Sequence, residues 1–213
     1  MEIVNIWAKY FFKKKISFVP NGKTAISEAL KLLDSKVVAI PTYTCHRVLQ
    51  ACLNVGATPY IVDCGLDLQI DINKIPDNVD TVIIPHMFGI QVDIKPLKGK
   101  FKIIEDCSQC MGLPDIGKYS DVVIASLGPS KFIPVGDDKE FGGGVLAYNG
   151  PLKGKYHNVL GVEYMEKAIN MASEIENRLK KTNYISTRIN NSKNKPNRTR
   201  SAKCMVKSHV CKL

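Results

Sequence analysis

No aspartate or glutamate occurs beyond Glu176. That absence locates the net charge of +10: residues 1–150 carry 16 basic and 16 acidic side chains, while residues 151–213 carry 14 and 4. A neutral body with a basic tail lacks the basic strand or helix face of a nucleic-acid-binding domain, so nucleic acid is not expected as a partner. No apolar run approaches the ~20 residues of a membrane-spanning helix, so no membrane partner is expected. Met1–Tyr10 carries charge early and has no long apolar core, which argues against a secretory leader. The cysteine count is seven, an odd number, and several cysteines fall inside apolar strand-like or helix-like runs; free thiols in a reducing cytoplasm are the simplest reading. Cys107-Ser108-Gln109-Cys110 has CxxC spacing, yet no second pair stands at a suitable distance, so it reads as two buried small residues. Cys204, Cys211 and His209 are too sparse for a metal site.

What the chain does contain is a regular alternation between residues 20 and 150. Val37–Ile40, Pro59–Val62, Thr81–Pro85, Phe101–Glu105, Val122–Ser126 and Gly143–Tyr148 are short apolar, β-branched runs that suit strands covered on both faces. Thr24–Leu33 (Ile26, Ala29, Leu30, Leu33) and Thr44–Val55 (Val48, Ala51, Cys52, Val55) have helical spacing. The expected fold is therefore an α/β three-layer domain with a mainly parallel sheet. A chain of 213 residues has room for one such domain and an appendage. Gly161–Lys181 has helical spacing with acidic residues early and basic ones late. After Asn183 the pattern turns polar, basic and aperiodic, so 184–213 reads as a disordered tail.

Functional residues of parallel sheets gather where the strands end. Phe101–Glu105 runs into Glu105-Asp106-Cys107-Ser108-Gln109, where a carboxylate pair can bind a metal, act as acid and base, or hold a cationic cofactor nitrogen. Val122–Ala125 ends in Ser126-Leu127-Gly128-Pro129-Ser130-Lys131, a Gly/Pro turn that lets a lysine curl back over the sheet edge. Asn21-Gly22-Lys23-Thr24 opens a helix, whose first backbone N–H groups attract phosphate. A phosphate cradle, an acid and a lysine are what pyridoxal 5′-phosphate (PLP) requires of a protein. Glu105 reads as structural or exposed. His86, at a strand end, is either a cofactor or substrate contact or a satisfied core histidine. The Gly136-Asp137-Asp138 turn reads as a solvent loop.

Several segments taken together resemble the sugar-nucleotide aminotransferases of the DegT/StrS type. They are Ile40–Thr44 through Gly56–Asp63, Ile84-Pro85-His86-Met87-Phe88-Gly89, Ile104–Gly112, Ser126–Lys131, and the glycine-rich Gly142–Val145. The resemblance covers residues 20–149 and implies the large domain of fold type I PLP enzymes over residues 1–150, with 151–183 as a connecting helix towards a small domain. It implies that Lys131 holds the cofactor as a Schiff base and shuttles the proton during transfer. Asp106 would pair with the pyridine nitrogen, Gln109 would meet the phenolic oxygen, and Ser126 with the backbone N–H groups of Lys23 and Thr24 would hold the phosphate. It further implies an amino donor, with glutamate expected, a keto-sugar nucleotide as acceptor, and a homodimer.

The chain departs from that pattern at four points. Cys45 stands where the family usually has an aromatic residue stacked on the pyridine ring. Lys23 replaces a threonine, and either contacts the phosphate or points to solvent. The arm before Asn21 is short, and the chain ends where the family's small C-terminal domain would be built. The alternative expectation is therefore a truncated relative acting as a binding or regulatory protein.

Overall fold

The computed structural model describes residues 2–131 and 142–151, together with Pro134 and Asn170. The expectations for the Gly136-Asp137-Asp138 turn, the 151–183 helix, the 184–213 tail and its Cys204, His209 and Cys211 lie outside the described residues.

Seven strands form one mixed sheet in the order β1-β7-β6-β5-β4-β2-β3. They are β1 (Lys15–Val19), β2 (Val37–Pro41), β3 (Thr58–Val62), β4 (Thr81–Pro85), β5 (Lys102–Asp106), β6 (Val122–Ser126) and β7 (Gly144–Tyr148). The pairs β2·β3, β2·β4, β4·β5 and β5·β6 are parallel, whereas β7 runs antiparallel to both β6 and β1. The structural class is thus α/β with a mainly parallel sheet, as the β-branched runs implied. β4 (TVIIP) is buried at every position, as expected of a central strand with both faces covered. β3 departs from that expectation. Its Tyr60 and Ile61 are exposed because it is an edge strand, and Pro59, which cannot donate to a ladder, is tolerated there.

Three layers follow from side-chain alternation along the strands. On one face, Val122 and Ile124 of β6 and Ile104 of β5 pack with Ala25, Ile26 and Ala29 of α2 (Gly22–Leu32) and Val48, Ala51 and Cys52 of α3 (His46–Asn54). On the other, Val123 and Ala125 pack with Trp7, Ala8 and Phe11 from α1 (Glu2–Tyr10) and its end, and with Phe18 of β1. The arm before Asn21 is therefore a structural contributor: it supplies a helix and a sheet edge. Trp7, Phe11 and Phe18 form a buried aromatic group with ring centroids 5.6–5.7 Å from Trp7. Full burial of three such rings contributes several kcal/mol, at about 1.5–3 kcal/mol for each large apolar side chain.

This architecture brings the ends of β5 and β6 beside the first turns of α2 and α3. Asn21 caps α2, its Oδ1 accepting the Thr24 N–H at 2.9 Å. Gly144 permits the approach, since a Cβ there would stand 2.5 Å from the Asn21 carbonyl oxygen. Gly22 does the same against β6: an added Cβ would lie 2.7 Å from the Ser126 Cβ.

Candidate functional site

A cleft of about 390 Å³ opens where these elements meet. Its lining includes Lys23, Thr24, Cys45, Asp106, Ser126 and Lys131, which is six of the seven residues expected from the sequence. Ser126 is the last residue of β6, and its backbone N–H donates to Ser108 Oγ at 2.8 Å. That bond ties the β5 and β6 ends together and leaves the Ser126 hydroxyl without a hydrogen-bond partner among the described residues. The turn after β6 is closed by the Lys131 N–H donating to the Gly128 carbonyl at 2.9 Å, which returns Lys131 to the cleft. Asp106 ends β5; its Oδ1 accepts the Ser108 N–H at 2.9 Å, and one carboxylate oxygen stays open.

Two expectations change in detail. The Thr24 N–H is taken by Asn21, and the Thr24 hydroxyl also donates to Asn21 Oδ1 at 3.1 Å. Of the two backbone donors expected for a phosphate, only the Lys23 N–H remains open. Gln109 is not among the lining residues. Its Oε1 accepts the Phe88 N–H at 3.0 Å, which fixes the amide and leaves its NH2 group to donate elsewhere. Lys23 is among the residues that line the cleft.

Sequence reasoning missed Arg47, Val48, Ile26, Ile124 and Ser108 as lining residues. Arg47 had a signal: it lies in the first turn of the helix that Cys45 opens, and first-turn side chains share the space in front of that helix end.

On the opposite side of β5, Glu105 and His86 are 1% and 0% exposed. His86 Nδ1 accepts the Val92 N–H at 3.0 Å, so its proton sits on Nε2 and is donated to Glu105 Oε1 at 2.8 Å. Glu105 Oε2 accepts from the Gly117 N–H at 2.8 Å and the Ser120 hydroxyl at 2.9 Å. Buried Lys13 donates to the carbonyls of Gly117 and Ser120, the latter at 2.8 Å. Burial lowers the Lys13 ammonium pKa, and the charges of Glu105 and Asp121 oppose that shift. His86 is thus a satisfied core histidine and Glu105 a structural carboxylate.

Cys107 and Cys110 are buried free thiols whose pKa values burial raises. Among the described residues no group of three or more His, Cys, Asp or Glu could hold a metal ion. Nor is any helix there long and apolar enough to cross a membrane.

The donor set of the cleft suits PLP: one uncommitted carboxylate oxygen, two lysine amines, a hydroxyl unpaired among the described residues and an open helix-end N–H, beside a wall where Gly22 leaves no room for a Cβ. Comparison with known proteins decides the family. The model for the DegT/DnrJ/EryC1/StrS aminotransferase family matches residues 6–184. The chain belongs to that family. It is 28% identical over 147 residues to the 3-oxo-glucose-6-phosphate:glutamate aminotransferase of Bacillus subtilis (strain 168), covering 61% of this chain and 32% of the relative. It is 27% identical over 176 residues to the UDP-N-acetyl-3-dehydro-alpha-D-glucosamine 3-aminotransferase of Acidithiobacillus ferrooxidans, covering 66% and 46%. Among solved structures, Bacillus subtilis NtdA with bound cofactor PMP has a TM-score of 0.64 at 22% identity, covering 82% of this chain and 47% of that one. DesV from S. venezuelae, solved with a ketimine intermediate, has a TM-score of 0.64 at 19% identity, covering 83% and 56%. These structures share the fold of PLP aminotransferases. The chain spans a third to a half of the length of these curated relatives.

Proposed function

We propose that this family member binds PLP in the cleft and transfers an amino group from glutamate to a keto-sugar nucleotide. The observation that carries the reading is the convergence of Asp106, Ser126 and Lys131 on one cleft with the first turn of α2. When bound, PLP supplies an electron sink that stabilises negative charge at the amino-acid Cα. Lys131 supplies the amine that holds the cofactor covalently and, once released, moves the proton at Cα. The open oxygen of Asp106 accepts the pyridine N–H and keeps that nitrogen protonated. The Ser126 hydroxyl and Lys23 N–H donate to the phosphate, and the Lys23 ammonium adds charge to the same seat. Gln109 stands outside the cleft lining with its Oε1 held by the Phe88 N–H, so a contact with the phenolic oxygen would come from its NH2 group. Donor and acceptor use one site in turn, so ping-pong kinetics are expected.

A homodimer accompanies this reading. Tyr43, Tyr60, Ile61, Leu66, Phe88 and Ile90 expose apolar surface, and a second copy is the expected cover.

The test is an absorbance spectrum of the full chain with added PLP, before and after borohydride, beside Lys131→Ala. The expected result is a visible band in the wild-type protein that borohydride converts into a stable adduct on Lys131, and no such band in the variant. Glutamate should bleach the wild-type band. A folded wild-type protein that gives no band would overturn the enzyme assignment and leave the binding-protein alternative.

A further inference from the structure

One end of the cleft has no task in that assignment. The charged residues of its lining are Lys23, Arg47, Asp106 and Lys131, three cations against one carboxylate. Asp106 and Lys131 are committed to the ring and aldehyde of the cofactor, and Lys23 to its phosphate. Arg47 comes from a different helix. Among the described residues its guanidinium makes one hydrogen bond, a donation from Nη1 to Gln50 Oε1 at 3.3 Å, a long bond to a neutral amide within α3. None of the ion pairs among the described residues includes it. Cys45 and Val48, the other α3-side lining residues, carry no acidic group that would compete for it. A guanidinium presents five N–H donors in a planar fork that matches carboxylate and phosphate oxygens. Among the described residues most of that fork is open, at the wall of a cleft.

We propose that Arg47 is a substrate-docking residue, holding an oxyanion of the incoming substrate: the carboxylate of the amino donor or a phosphate of the sugar. The inference rests on the PLP reading for the direction of the reaction, but the docking itself is independent of covalent cofactor attachment. An anion held by Arg47 would orient the substrate's amine or carbonyl towards Lys131, which lines the same cleft. It would also give the chain a preference for charged over neutral sugars.

The test is calorimetric titration of the full chain, loaded with PLP, with three probes: glutarate as a non-reacting dicarboxylate, glucose 6-phosphate, and glucose as the uncharged control. Wild type, Arg47→Gln and Arg47→Lys are compared. Arg47 is exposed, so all three should give the same far-ultraviolet circular dichroism. One of the two anions should bind wild type and lose about ten-fold or more in affinity in Arg47→Gln, with Arg47→Lys between them and PLP affinity unchanged. Glutarate as the affected probe assigns the subsite to the donor; glucose 6-phosphate assigns it to the sugar. The proposal is overturned if neither anion binds wild type, if both bind wild type and Arg47→Gln equally, or if PLP affinity itself falls with Arg47→Gln. The last outcome would give the guanidinium to the cofactor's phosphate. A wild-type protein without a reducible band on Lys131 would sink the aminotransferase reading, and the same anion titrations on the full chain without PLP would then test Arg47 separately.

Discussion

Glu105 and Asp106 are neighbours at the end of β5, and side-chain alternation sends them to opposite sides of the sheet. Glu105 is enclosed, with both oxygens engaged, by His86 on one and by Gly117 and Ser120 on the other. Asp106 is partly open, one oxygen held by the Ser108 N–H and the other facing a cleft. The same functional group is a structural fastener on one side and an available acceptor on the other. The difference lies in the number of donors already supplied, and a carboxylate with spare acceptor capacity at a cleft is the one free to take a ligand's proton donor.

The largest effect should come from the enclosed side. Glu105→Ala leaves the His86 Nε2–H, the Ser120 hydroxyl and the nearby Lys13 ammonium without their compensating charge. A loss of about 3–5 kcal/mol in urea unfolding is expected. Asp106→Asn keeps an acceptor for Ser108 and should change stability by about 1 kcal/mol or less, while weakening PLP binding about ten-fold or more. Equal destabilisation by both variants would break the comparison.

A second contrast concerns thiols. Burial pushes Cys52 up to about 11, whereas Cys45 is exposed at the cleft. An unfolded Cys52 ionises from about pH 9 while the native thiol keeps its proton, so the unfolded state binds fewer protons in that window. Stability is therefore fully present below about pH 9 and falls as pH rises towards 11, by about 2–3 kcal/mol from this residue. Cys52→Ala should reduce the slope of unfolding free energy against pH between 9 and 11. At pH 8, a thiol reagent should modify Cys45 in the native protein and spare Cys52, Cys107 and Cys110.

The comparison also shows what the sequence could and could not disclose. Central strands were legible because two covered faces demand continuous β-branched runs, as in Thr81–Pro85. That the start of α2, Asp106 and Lys131 line one cleft was legible because parallel strands end on one edge. β1 was passed over although Ile16-Ser17-Phe18-Val19 stops at Pro20 much as Val37–Ile40 stops at Pro41. Lys13, just before it, is buried, with two carbonyls as acceptors and the charge of Glu105 nearby. For Gln109 and Thr24, which bond each side chain or amide makes depends on the loop at Phe88 and the cap at Asn21, and neither is visible in local spacing. Arg47 was legible only as a first-turn side chain of the helix that Cys45 opens; that this helix end meets the cleft depends on how α3 docks.

The smallest expected effect sharpens the cleft side. Cys45 precedes α3 without capping it by a side-chain hydrogen bond, and it is exposed, so a larger residue there should cost the fold little. The family resemblance places an aromatic ring at this position, stacked on the cofactor. Cys45→Phe should therefore add a ring contact of about 0.5–1.5 kcal/mol, raising PLP affinity by up to about ten-fold without altering the unfolding midpoint of the PLP-free protein. Spectroscopic titration with PLP reads the first quantity and urea unfolding the second. Unchanged affinity with unchanged stability would mean that the ring lies away from the start of α3, and would require the cofactor to sit closer to β6. A gain in affinity would show that the cleft keeps the geometry of a PLP site and that Cys45 has weakened one contact within it.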